Sequence, residues 1–168
     1  MGKKTPLTDA FWRAYCERAE VAASSRYDVV VMADTPHDSA ELWALIAIGR
    51  KRAIASLFSD FGPGKDPLPE VGGHVVVIDE NGAPCGIWRT TEVRVGRLDS
   101  VDERFALDEG EGEGTVAWWL DVYRRYFRRQ GEREGFEMHD GIATVFERFT
   151  VVWPPDIADP PARAGRGG

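Results

Sequence analysis

HVVVIDENGAPCGIWRTTEVRV, residues 74–95, decides the fold class. His74 to Asp79 is a short apolar run rich in valine, entered through Gly72-Gly73. Such a run predicts a buried strand. Asn81-Gly82, inside Glu80–Pro84, is a hairpin turn signal. The stretch from Cys85 to Val95 predicts the return strand. An antiparallel hairpin is therefore expected at the centre of the chain.

Upstream of it, FGPGKDPLPEVGG (61–73) holds four Gly and three Pro and reads as loop. Before that loop, two helices are expected. One opens at Thr8 as its cap and runs to about Ala23, with Phe11, Tyr15 and Ala19 at i+4 spacing. The other starts near Ser39 in HDSAELWALIAIGRKR, with Leu42, Leu45, Ile46 and Gly49 in helical register. Downstream, Val116, Trp119, Tyr123 and Phe127 form an apolar stripe, which predicts a helix from Thr115 to about Arg129. IATVFERFTVVW (142–153) predicts a last strand, closed by Pro154-Pro155. Strands and helices do not alternate regularly. The order points to an α+β domain with a curved, mainly antiparallel sheet.

Composition narrows the function. The chain has 168 residues, 43% of them hydrophobic, which suits one globular domain. Net charge is −7, which argues against bulk electrostatic binding of nucleic acid. Cys16 and Cys85 form neither a metal spacing nor a disulfide framework. No segment approaches the roughly 18 apolar residues of a membrane span. The expectation is a soluble cytoplasmic protein with no membrane association.

Phosphate loops fail on spacing. GPGKD (62–66) has Ser59 where a Walker loop needs Gly, and Asp66 where it needs Ser or Thr. His37, His74 and His139 lie too far apart to pair as ligands, so no metal and no cofactor are expected. Asp108, Glu109, Glu111 and Glu113 read either as oxygen ligands for Mg²⁺ or as anions before a helix, with the second reading preferred. The arginines at 124, 125, 128 and 129, beside Tyr126 and Phe127, read as a solvated helix end or as a nucleic-acid face.

The last strand contains an anomaly. Alternation puts Ala143, Val145, Glu147, Phe149, Val151 and Trp153 on one face, and only Glu147 is polar. A buried carboxylate is costly unless paired or protonated. Either it meets a basic partner, or a polar pocket opens inside the sheet.

Four blocks then resemble one family in order. They are DSAELWALIAIGRKRAIASL (38–57), LPEVGGHVVVIDENGAPCGIWRTTEV (68–93), FALDEGEGEGTVAWWLDVYRRYF (105–127) and VFERFTVVW (145–153). They are similar to the ASCH family of PUA-like domains, associated with RNA and nucleoside chemistry. The resemblance implies a PUA-like curved antiparallel β-barrel flanked by helices. It implies an ASCH-like domain over 33–153 after an N-terminal helix and lead-in (1–32), while the composition of the Pro/Gly/Arg tail (154–168), with nothing to bury, predicts a disordered or loosely packed segment. It also implies a ligand, RNA or a nucleoside-like small molecule; protein partners stay open.

Some members of the family are amidohydrolases of N4-acetylcytidine, and others are ribonucleases. By this resemblance Lys51 and Glu109 take the catalytic Lys and Glu positions. The family's catalytic Thr position falls on Ile54, which has no hydroxyl to act as a nucleophile. Ser56 shares the strand face of Ile54 but lies roughly 6.6 Å further along. The expected pocket contains Lys51 and Glu109, with Arg50, Arg52, Ser56, Glu147 and Trp88 as ligand-binding candidates. Trp118 is a second stacking candidate. Binding is the leading expectation, an amidohydrolase or ribonuclease the alternative, and a diverged scaffold the third.

Overall fold

The computed structural model describes residues 2–32 and 35–161. Among these, five strands form one curled, mixed sheet in the order β1-β3-β4-β5-β2, a half-barrel flanked by four α-helices. The expected α+β class and curved, mainly antiparallel sheet are found, with one parallel pair at the edge.

The central hairpin is β3 (His74–Ile78) and β4 (Pro84–Arg97). Asp79 Oδ1 accepts from the backbone N–H groups of Asn81 (2.9 Å) and Ala83 (2.8 Å), which closes the turn. β5 (Ala143–Trp153) pairs antiparallel along most of β4, with bulges after Ile87 and Thr90 that bend the sheet. β2 (Ala53–Leu57) adds to the other side of β5.

β1 (Asp28–Val31) pairs parallel with β3. The boundary expected at Ala33 is therefore misplaced, because the sheet already includes 28–31; Ala33 itself lies outside the described residues. Four residues without alternation carry too little pattern to be recognised in the sequence.

The helices begin earlier than expected. α1 spans Pro6–Ala19 with Thr5 as its cap, so Thr8 is not the cap. Thr8 instead occupies the third helical position of a reciprocal capping box, and its buried hydroxyl lies 3.1 Å from the Tyr27 hydroxyl. α2 spans Pro36–Ala47, capped by Thr35 rather than Ser39. It stops before the basic run 50–52, and Gly49 leaves it at φ 84°. α3 (Glu103–Asp108) is a short helix the periodicity did not reveal. α4 (Val116–Glu134) is longer than expected, capped by Thr115 and ended by Gly135 at φ 81°.

Each helix buries its apolar stripe on the sheet. α3 and α4 pack Phe105, Trp119 and Phe127 against Phe146 and the Ala53, Ala55 and Leu57 side of β2. α1 packs Trp12, Tyr15 and Cys16 on β1 and β3. Truncating a side chain as large and buried as Trp119 or Phe127 to Ala would cost about 3–5 kcal/mol. On the inner face, Met32, Ile46, Val77, Trp88, Phe149 and Val151 form a third cluster with Ile54 at its edge.

The tail expected to be disordered from Pro154 is held by the domain through its first eight described residues. Asp159 accepts from Arg52 Nε (2.7 Å) and Nη2 (2.8 Å), from Thr150 Oγ1 (3.0 Å) and from the Val151 backbone (2.9 Å). Ile157 packs on the inner cluster. Residues 162–168 of that tail lie outside the described residues. No helix among the described residues is long and apolar enough to cross a membrane.

Candidate functional site

The expected single pocket is two separate places. Lys51 just precedes β2 on the side facing α4. Its Nζ donates to Glu109 Oε2 (2.5 Å), Glu111 Oε1 (2.7 Å) and the Glu109 carbonyl (3.4 Å). The Tyr123 hydroxyl donates to the other Glu109 oxygen at 2.6 Å. Lys51 and Glu109 are each 1% exposed.

The alternating glycines make this contact. Gly110 and Gly112 adopt φ 71° and 52°, and a Cβ at Gly110 would stand 2.3 Å from the Arg50 carbonyl oxygen. The acidic loop therefore lies flat on residues 50–51. Arg50 Nη2 reaches the Gly112 carbonyl (3.2 Å), and the Arg52 backbone N–H reaches that of Asp108 (2.7 Å). Trp118 covers Gly112 on the other side, so this stacking candidate packs on the acidic loop and does not line the pocket described below.

Burial pulls the Lys51 pKa down, but the charges and hydrogen bonds of Glu109 and Glu111 outweigh it and leave it raised. Lys51 is therefore held as the cation. A general base needs the opposite shift. Burial raises Glu109, and Glu111 adds to that against the opposing pull of Lys51. Burial, then Glu109, lifts Tyr123 well above the usual phenol value. The acidic run is not arranged for Mg²⁺, because Glu109 and Glu111 hold Lys51 while Asp108 holds Arg148 at 2.9 Å.

The second place is an open pocket of about 410 Å³ over the inner face of β2, β4 and β5. That is within the usual range for small-molecule sites, ~300–1,000 Å³. Ile54 and Glu147 are direct cross-strand partners and so share its floor with Ser56, Trp88 and Thr90. Glu147 is 8% exposed and its Oε1 accepts from Thr90 Oγ1 at 2.6 Å. Burial pushes its pKa up; the Thr90 hydroxyl and the Trp88 indole N–H offset only part of this. The indole does so without a hydrogen bond of ordinary geometry, and its buried N–H has no such partner among the described residues. Trp88 is 3% exposed and stacks on Phe149 with centroids 4.3 Å apart.

The wall comes from α4 and the loop after β2. Gln130 Nε2 donates to Asp60 (2.8 Å) and Glu134 (3.1 Å). Burial raises the Asp60 pKa, and Glu134 adds to the effect. His74 lies on the far side, 3.2 Å from the Tyr15 hydroxyl, and burial with Arg89 nearby lowers its pKa and favours the neutral ring.

The ASCH domain family model matches residues 28–153. The chain belongs to the ASCH domain family. Among solved structures, it is similar to the ASCH domain from Lactobacillus crispatus JV V101 (27% identity, TM-score 0.80, covering 89% of this chain and 96% of that one). It is also similar to protein EF3133 from Enterococcus faecalis V583 (26% identity, TM-score 0.76, covering 86% of each). A comparison with curated proteins finds no match.

Within this ASCH domain, the sequence-predicted residues divide. Lys51 and Glu109 meet, as their family positions imply, but away from the pocket. Ser56, Trp88 and Glu147 meet in the pocket. Arg50 is exposed and bonded to the loop, while Arg52 is anchored by Asp159 and so is not available to a phosphate. Sequence reasoning missed Asp60, Thr90, Gln130 and Glu134. Thr90 stood in the quoted Thr-Thr; Asp60 and the α4 pair lie 70 residues apart and left no local signal. Among the described residues, His37, Asp38 and Glu41 are the acid/histidine group close enough to share an ion, and all three are solvent-exposed.

Proposed function

We propose that this ASCH domain binds a nucleoside-like small molecule in the open pocket, with Glu147 as its polar anchor and Trp88 in its floor. The observation that carries the reading is Glu147: a buried carboxylate without a cationic partner among the described residues, at the floor of a cavity of about 410 Å³. A buried polar group without enough partners costs stability unless something supplies them. Ligand N–H groups would do so. The buried Trp88 N–H stands beside the same carboxylate and is turned to Glu147, so Trp88 contributes its ring to the floor.

The pocket is a poor match for a phosphate backbone. Polyanion binding needs Lys and Arg along the contact, whereas the charged groups that line this pocket are mostly carboxylates. Hydrolysis by the family's Lys and Thr is disfavoured too. Ile54 brings no hydroxyl, and Lys51 lies on the opposite side of the strand, held by two carboxylates.

The test is a thermal-shift and calorimetric screen of nucleosides and modified nucleosides. Binding lost in Glu147→Ala and Trp88→Ala but kept in Lys51→Arg supports the reading. Binding that depends on Lys51 and ignores Glu147 and Trp88 rejects it.

A further inference from the structure

The pocket's charge is one-sided. Asp60, Glu70, Glu134 and Glu147 line it with Asp66 and Arg133, while Asp28 at the rim is answered by Arg26 at 3.3 Å and the His74 ring has a lowered pKa. Two of these carboxylates take their side-chain hydrogen bonds from neutral donors, with Lys65 acting on Asp60 only at longer range. Glu147 is held by the Thr90 hydroxyl at the floor, and Asp60 by the Gln130 amide on the wall. Neutral donors fix a carboxylate's position without cancelling its charge. The negative charge at the floor therefore falls on Glu147, which has no cation beside it among the described residues, and low-dielectric walls strengthen its pull.

Tyr126, 40% exposed, and Phe61 add aromatic surface to the same cavity. Such faces favour a cation too. The buried Glu147, the indole N–H beside it and the aromatic lining together ask more of a ligand than hydrogen bonding.

We propose that the pocket selects a small organic cation with a flat conjugated body, its positive charge set against Glu147 and its outer edge near Asp60 and Glu134. The inference rests on the pocket reading above and names the charge of its ligand. A flat amidinium or an N-alkylated nucleobase has the required chemistry. It carries its charge on N–H-bearing or N-alkyl ring atoms and presents a face to aromatic side chains. A charge-assisted hydrogen bond to a desolvated carboxylate also exceeds its neutral counterpart.

The experiment compares matched pairs on the intact protein by calorimetry. The pairs are 1-methyladenosine, a cation at neutral pH, against adenosine, and benzamidine against benzamide. Each pair holds shape nearly constant and changes charge. The expected result is that the cation of at least one pair binds about tenfold tighter than its neutral partner. That preference should collapse in Glu147→Gln, which keeps the side-chain shape and its acceptor oxygen. Wild-type protein alone decides the matter if the variant folds poorly. Equal affinities within both pairs overturn the cation proposal and leave the pocket reading standing. A wild-type protein that binds no member of either pair, nor any nucleoside in the screen, overturns both.

Discussion

Lys51→Met tests whether the Lys51–Glu109 pair is structural. Methionine roughly keeps the length and volume of the lysine stem and removes the ammonium. Glu109, 1% exposed, then keeps only the Tyr123 hydroxyl and faces the like charge of Glu111. Removing one partner from a buried ion pair costs about 3–5 kcal/mol. Total stability of ordinary domains is about 5–15 kcal/mol, so this loss is a large share of it. For a chain of this length, ~2–4 °C of melting temperature accompanies each kcal/mol. A drop of roughly 6–20 °C at pH 8 follows. Urea unfolding should show the loss as a lower midpoint with an unchanged slope.

The sign of the pH dependence follows from Glu109. Its folded pKa is already raised, and losing the lysine's opposing pull raises it further. A carboxyl raised by folding has its stabilising contribution in full below the unfolded pKa and loses it as pH rises through the folded one. The deficit of Lys51→Met should therefore be larger at pH 8 than at pH 5. The double variant Lys51→Met/Glu109→Gln removes both charges and should recover most of the loss. A deficit under about 1 kcal/mol at pH 8, or one that does not change with pH, would refute the argument, because it would mean that the pair is solvated rather than sealed.

Three further outcomes are expected. Glu147→Gln should melt above wild type at pH 8 and converge with it toward pH 4, since the raised carboxyl of Glu147 destabilises only when ionised; thermal melts across pH measure this, and a gap that widens in acid would contradict it. Ile54→Thr should cost about 1 kcal/mol and yield no hydrolysis of N4-acetylcytidine by chromatographic assay, because Lys51 is on the opposite strand face; turnover by that variant would disprove the separation. Asp159→Asn should cost about 1–2 kcal/mol at pH 7 and expose the segment after Trp153 to limited proteolysis. Its effect should fade in acid, because burial raises the Asp159 pKa but Arg52, the Val151 N–H and Thr150 together outweigh it and leave it lowered. The stability it confers is thus present above the unfolded value of 3.8 and lost as pH falls.

The hairpin was legible because Asn81-Gly82 sits between two strand-like runs, a local signal. Glu147 was legible because one carboxylate broke an otherwise apolar alternation. The helix starts were read too late for a physical reason. Thr5-Pro6 and Thr35-Pro36 each place proline at the first helical turn after a capping threonine, and that signal outranks the later Thr8 and Ser39. β1 and α3 span four and six residues, too few for a period to show. The Lys51–Glu109 contact joins residues 58 apart and was accessible only through family resemblance.

The separation of Lys51 from Ile54 turns on one geometric fact. Residues three apart share a face on a helix and lie on opposite faces of a strand. α2 ends at Ala47 and β2 begins at Ala53, so Ile54 lies on the strand and Lys51 in the link just before it, with no helical turn to join their faces. Lys51 follows Ala53 and Ala55 toward α4, whereas Ile54 follows Ser56 into the pocket. The two places have different chemical standing as a result. The Lys51 ammonium is surrounded by its own counter-ions and can offer a ligand nothing without breaking them. Glu147 has the Thr90 hydroxyl on one oxygen, the Trp88 indole N–H beside it and an open cavity in front of it. Substitutions at Lys51 should therefore register in unfolding, and substitutions at Glu147 in binding. A family position carried over by sequence alone does not distinguish the two; the strand register, with Ile54 opposite Glu147, does.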